Sequence, residues 1–139
     1  WGDRYNSFHL RDLPVRLACS KVHPLAEKQA LKITDLYGET IIFGKRHTAP
    51  YADRIWDFLE QNHPQIQIKE VECIDLPLFN RIVSSNDFVM SADCWRDVHP
   101  LLATLPVDWE FTMPYGLIYA RNPSREMLQF IMAIGNVIP

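Results

Sequence analysis

The sequence predicts an α/β domain, a parallel-dominated sheet flanked by helices, and three observations predict it. The middle of the chain alternates short apolar runs with helical stripes, in the order strand–helix–strand–helix–strand. Apolar residues make up 47% of the 139, enough to build a real core. Ile41, Ile42 and Phe43 follow Thr40 without a polar interruption and are closed by Gly44, as in a strand buried on both faces.

The elements follow in order. Residues 15–19 alternate, with Val15, Leu17 and Cys19 on one face, and predict a strand that ends before His23-Pro24. Proline cannot continue a ladder, so His23 is read as part of a turn rather than as chemistry. Residues 33–38 predict a short helical turn stopped by Gly38, and residues 40–43 the buried strand. Tyr51, Ile55 and Leu59 recur at i, i+4 and i+8, widened by Ala52, Trp56 and Phe58. With Pro50 at the start and Asn62-His63-Pro64 beyond the end, they predict an amphipathic helix over 50–62.

Ile66, Ile68 and Val71 predict the next strand. Asp75 reads as the N-cap of a helix burying Leu76, Phe79, Ile82 and Val83, stopped by Ser84-Ser85-Asn86. Residues 88–90 form a third strand, and right-handed crossovers make these strands parallel. Residues 96–105 predict a short helix opening near Pro100. Residues 107–111 alternate as a half-exposed strand, residues 115–120 form another, and Asn122-Pro123 opens a last helix burying Met127, Leu128, Ile131 and Ile134.

Composition excludes several functions. Fourteen basic against 17 acidic residues give a net charge of −3, with no basic stripe to track phosphates, so the chain is not expected to bind DNA unaided. Cys19, Cys73 and Cys94 are odd in number and lack CxxC spacing. They argue for reduced thiols in a cytoplasmic setting, without a disulfide framework or a zinc site. No run of 18 apolar residues is present, so no membrane span is expected. The chain opens Trp1-Gly2-Asp3 without an initiator Met and is read as a piece of something longer.

The strand followed by His-Pro-Leu-Ala at residues 23–26 resembles the middle of the effector-binding domain of LysR-type transcriptional regulators. So does Ile33-Thr34-Asp35-Leu36-Tyr37-Gly38-Glu39-Thr40-Ile41-Ile42, which matches the family's short helix, glycine and buried strand. The helix running into Phe88-Val89-Met90, and the ending at residues 115–120 with Pro123-Ser124 and a helix, fit the same order over roughly residues 5–138. The sequence departs from the family at Ser84-Ser85-Asn86-Asp87, where members usually carry a glycine-rich turn.

The resemblance implies a periplasmic-binding-protein-like (type II) fold. Residues 1–20 would be the end of lobe I and a crossover, residues 21–112 the complete lobe II, and residues 113–139 the return crossover strand and the C-terminal helix of lobe I. It implies binding of a small-molecule effector, a homodimer or homotetramer, and DNA contact only through an N-terminal helix-turn-helix with no counterpart in these residues. The alternative that shares the lobe fold is a solute-binding protein of a transport system, against which the three unpaired cysteines argue.

In an open α/β sheet, ligands lie outside the carboxyl ends of the strands. The loop of Gly44, Lys45, Arg46, His47 and Thr48 is therefore the first candidate. Thr48 and the amides ahead of the 50–62 helix would hold a polar effector, with Lys45, Arg46 or His47 adding charge. The competing reading has Thr48 as the helix cap and the basic side chains solvated. Peroxide-sensing members of the family carry a reactive cysteine near here, where this sequence has Thr48. Ile74, Asp75, Ser91 and Cys94 complete the candidate set; the competing readings make Asp75 a plain N-cap and Cys94 a small buried residue.

No enzyme is expected. Cys94, Asp97 and His99 are the right types for a thiol nucleophile, but GxSxG, Walker, HExxH and GxGxxG motifs are missing, and no catalytic residue, cofactor or metal is assigned. Trp56 and Trp109 are read as core, and Trp95 as the one tryptophan placed to touch a ligand. The loops carry charges of both signs. An anionic effector is the expectation drawn from the basic loop beside a helix N-terminus.

Overall fold

A computed structural model describes residues 4–137. They fall into two compact units, Pro14–Met113 and the flanks on either side of it, residues 4–13 with 114–137. The strands are β1 (Tyr5–Ser20), β2 (Thr40–Gly44), β3 (Gln67–Val71), β4 (Phe88–Ala92), β5 (Leu102–Leu105) and β6 (Thr112–Ala120). The helices are α1 (Pro50–Asn62), α2 (Leu76–Val83) and α3 (Arg125–Val137).

Within Pro14–Met113 the sheet order is β3-β2-β4-β1-β5. β2 pairs in parallel with β3, from Thr40 opposite Gln67 to Gly44 opposite Val71, and with β4 through Ile41–Phe88 and Ile42–Val89. The end of β1 lies antiparallel to both β4 and β5, so β5 shares the direction of the other three. The sheet is mostly parallel with one reversed strand.

From β2 the chain steps out to β3 through α1, then returns past β2 to β4 through α2. With crossovers of one hand, that reversal places the two helices on opposite faces. The side chains agree. Ile42 and Val89 share a buried cluster with Leu78, Phe79 and Ile82 of α2, while Phe43, one residue on and on the other face, meets Trp56 of α1 at 5.5 Å. β4, covered on both sides, is buried along its whole length. Burial of Phe88, Val89 and Met90 with Ile41, Ile42 and Phe43 contributes roughly 1.5–3 kcal/mol for each large side chain.

The turn after β1 is built around His23, which is only 5% exposed. Its Nδ1 accepts the Leu25 amide at 3.1 Å, which leaves Nε2 as the protonated nitrogen, 3.6 Å from Glu39 Oε2. The ring meets Phe88 edge-on at 4.8 Å. The turn expected here is present, and the histidine fastens it to the core. The next turn, a 3-10 segment at Ile33–Leu36, stops at Gly38 with φ +86°, a conformation that favours glycine.

Four expectations are corrected. Residues 96–105 do not form a helix: Asp93–Trp95 is a 3-10 turn, and Leu102–Leu105 is β5, recruited by β1 through pairs from Leu17–Leu105 to Ser20–Leu102. Residues 107–111 are not a strand, since only Val107 bridges, to Leu31. Leu76 is exposed, and Leu78 takes its expected place in the core beside Phe79 and Ile82. In α3 only Ile131 is buried, while Met127 and Leu128 are exposed.

In the flanking unit, β6 pairs with β1. At Gly116 the two backbones come so close that a Cβ would lie 2.4 Å from the Phe8 carbonyl oxygen, so only glycine fits.

Candidate functional site

Because β2, β3 and β4 are parallel, the loops that follow them leave from one edge of the sheet, and the loop after β2 is the middle one. The structure joins the first two. Gly44 faces Ile74, whose Cδ1 is 4.0 Å from where a Cβ would stand, and Lys45 Nζ reaches Glu72 Oε1 at 3.2 Å. On the β4 side, buried Ser91 is paired in register with Arg16 of β1, and the exposed Cys94 lies in the 3-10 turn that follows.

Arg46 is engaged within the chain. Its guanidinium bonds Asp57 and, at 3.2 Å, Glu60, and lies 5.0 Å over the Trp56 ring, all on α1. Its backbone N–H donates to Glu70 at 3.1 Å. Donation from the Trp56 indole and from Arg46 holds the Glu60 carboxyl below its ordinary range. His47 sits at φ +66°, with its amide donating to Asp53 Oδ1 at 3.0 Å. Each basic residue of this loop therefore faces a carboxylate of this chain.

Thr48 is not the helix cap. Its hydroxyl donates to the Lys45 carbonyl, and Ala49 is the N-cap, with no side chain covering the first-turn amides. Pro50 has no N–H, so Tyr51 carries the first amide of the helix. Asp75, by contrast, caps α2 as expected, accepting the Leu78 amide at 3.0 Å. Of the two helix starts at this edge, α2 is closed by its own side chain, while α1 is closed by the Ala49 carbonyl except at the Tyr51 amide.

Cys94 and Cys73 are exposed, against the reading of Cys94 as a buried residue; Cys19 is buried. Cys94, Asp97 and His99 do not form a thiol–base pair. Nε2 of His99 lies 3.1 Å from Asn80 Oδ1, and its Nδ1 accepts the Leu101 amide. Trp56 is buried, Trp109 is half-buried with its indole donating to the Val15 carbonyl, and Trp95 is 38% exposed beside Cys94.

Sequence reasoning missed one cluster at this edge. Arg16 holds Asp93 through Nε and Nη2 at 3.2 and 3.1 Å, and Arg96 adds a third bond at 3.3 Å. Hydrogen bonding from Arg16, then its charge and that of Arg96, keeps the Asp93 carboxyl below its ordinary range. The available signal was Arg16 itself, a charged residue inside an apolar strand. Among the described residues, no group of three or more His, Cys, Asp and Glu side chains is placed to hold a metal, and no helix is long and apolar enough to cross a membrane.

Comparison with solved structures finds the same fold at low sequence identity. The CcmR regulatory domain of Synechocystis PCC6803 in complex with 2-PG superposes with a TM-score of 0.70 at 16% identity, over 96% of this chain and 67% of that one. The effector-binding domain of QuiR in complex with shikimate gives 0.69 at 15%, over 96% and 66%. Full-length CbnR in complex with its target DNA gives 0.70 at 12%, over 97% of this chain but 48% of that one. The chain thus spans about two thirds of the isolated effector-binding domains and about half of a full-length regulator. No curated protein sequence matches it. The family match covers residues 2–137, nearly the whole chain, and its fold is the type II periplasmic-binding-protein arrangement of its neighbours: the chain belongs to the LysR substrate binding domain family.

Proposed function

We propose that this chain is the ligand-sensing part of a LysR-type transcriptional regulator, binding a small polar effector at the carboxyl edge of the Pro14–Met113 unit. Residues 21–112 are the effector lobe. Residues 1–20 and 113–139 are crossover strands and parts of the other lobe. The whole regulator is a cytoplasmic homodimer or homotetramer that contacts DNA through a separate helix-turn-helix module.

The observation that carries this reading is the Tyr51 amide at the N-terminus of α1, set beside the joined loops of Gly44 and Ile74. With the Ala52 and Asp53 amides bonded to the Ala49 carbonyl, the Tyr51 amide is the first-turn donor left without a partner among the described residues, and with the positive end of the helix dipole it favours a carboxylate or another polar acceptor. We assign Gly44, Lys45, His47, Thr48, Ile74, Ser91 and Cys94 to the effector edge, with Arg46 and Asp75 holding the loop and α2 in place. Signalling then requires the effector to bind one quaternary arrangement more tightly than another, since equal affinity shifts nothing.

The test is a thermal-shift and calorimetric screen of the full-length gene product against small organic acids, starting with 2-PG and shikimate. A compound that binds saturably and loses affinity about tenfold or more in Thr48→Val or Gly44→Leu supports the assignment. A saturable ligand whose affinity neither variant changes refutes it.

A further inference from the structure

Five rings, drawn from α1 and its C-cap, the segment before β2 and the segment after β5, form a continuous run. Trp109 meets Phe111 at 5.6 Å, Phe111 meets Phe58 of α1 at 5.2 Å, and Phe58 meets His63 at 5.1 Å. The Tyr37 hydroxyl closes the run 3.0 Å from His63 Nδ1. Beside the first three rings is an open hollow of about 450 Å³, lined by Ile33, Phe58, Asp108, Trp109, Glu110 and Phe111. That is the size range of small-molecule sites. All six residues belong to the Pro14–Met113 unit.

The walls are fixed from behind. The Trp109 indole donates to the Val15 carbonyl at 3.0 Å, the Phe111 carbonyl accepts the Val15 amide at 2.9 Å, and Asp108 Oδ1 accepts the Ile33 amide at 2.7 Å. The rim is acidic. Glu110 is exposed and has no partner among the described residues, Asp108 adds a second carboxylate, and no lining residue is basic. An anion would be repelled here, and a neutral apolar ligand would dry two carboxylates for no return. A cation meets both the negative faces of the rings and the carboxylates.

We propose that this hollow binds a small organic cation of the alkylammonium class, seated against Phe58, Trp109 and Phe111 and neutralised by Glu110 and Asp108. The hollow shares no lining residue with the proposed effector edge, so its failure would leave that reading untouched.

The test uses the full-length protein in phosphate buffer, free of competing amines. Saturation-transfer difference NMR compares choline with its neutral isostere 3,3-dimethylbutan-1-ol. The expected result is saturable binding of choline, about three- to tenfold tighter than the alcohol. Glu110→Gln, a change at an exposed side chain, should weaken choline by about two- to fivefold and leave the alcohol unchanged. Phe111→Leu should weaken both. The proposal is overturned if choline shows no saturable signal up to tens of millimolar, if choline and the alcohol bind equally, or if Glu110→Gln leaves choline binding unchanged.

Discussion

Replacing His23 separates a structural role from a chemical one. The imidazole does two things that its burial makes costly to lose: it accepts the Leu25 amide at 3.1 Å and sets its edge against Phe88 at 4.8 Å. His23→Phe keeps a ring of similar shape but cannot accept a hydrogen bond. The Leu25 amide is then stranded in a half-buried position, a loss of about 1–2 kcal/mol. His23→Ala also removes the ring, its aromatic pair and the volume it fills in the core, for a total of about 3–4 kcal/mol. With urea m-values of about 1–3 kcal/mol/M, the alanine variant should unfold about 1–4 M earlier and the phenylalanine variant at an intermediate concentration. The assay is urea unfolding of the full-length protein followed by circular dichroism, with effector affinity measured alongside. A phenylalanine variant as stable as the parent would refute the hydrogen-bond argument. A variant of parental stability that has lost its ligand would show that the histidine does chemistry after all.

Three further outcomes follow from single contacts. Asp75→Ala should cost about 1 kcal/mol in urea unfolding by uncapping α2, whereas Asp75→Asn should stay within a few tenths. Under native alkylation read by mass spectrometry, Cys73 and Cys94 should label. Cys19, whose thiol is pushed up to about 11 by burial and by the nearby Glu39 charge, should label only after unfolding. Asp93 has its folded carboxyl depressed, so its stabilisation is complete above the ordinary carboxylate range of about 4 and is lost as pH falls through the depressed value. Stability measured against pH should show that acid-side loss shrink in Asp93→Asn.

The parts of the fold legible in the sequence are those written locally. The α1 helix spans 50–62 as predicted, because its stripe, its initial proline and the Asn62-His63-Pro64 stop all lie within one segment. Asp75 is a cap whichever way the chain folds around it. What misled was pattern without a partner. Leu101, Leu102 and Leu105 have helix-like spacing, but β1 offers a free ladder, and pairing outweighs a weak local preference. Val107, Trp109 and Phe111 do alternate, but beyond Val107 they meet β1 only through Val15, without forming a ladder, and the two rings turn to each other and to Phe58. The reversed direction of β1 between β4 and β5 was not legible, since strand order in the chain does not dictate order in the sheet. For α3 the sequence marks an apolar face correctly and says nothing of what covers it.

At the candidate edge the sequence misleads on charge. Lys45, Arg46 and His47 suggested a positive loop that would draw an anion, yet each faces a carboxylate from elsewhere: Glu72, then Asp57 and Glu60, then Asp53. Those acids lie 6 to 27 residues away, too far for a local reading to connect. With those partners the loop carries more carboxylates than cations, so attraction for an anionic effector would come from the Tyr51 amide and the dipole of α1 rather than from free cations. The two sources of attraction respond differently to salt. A full charge such as Lys45, 54% exposed, is screened within about 10 Å at 0.1 M salt, whereas amides in direct hydrogen-bond contact with the ligand are little affected. Effector affinity that barely changes between low and moderate ionic strength would therefore identify the helix terminus as the binding element, and a steep fall would return the role to Lys45.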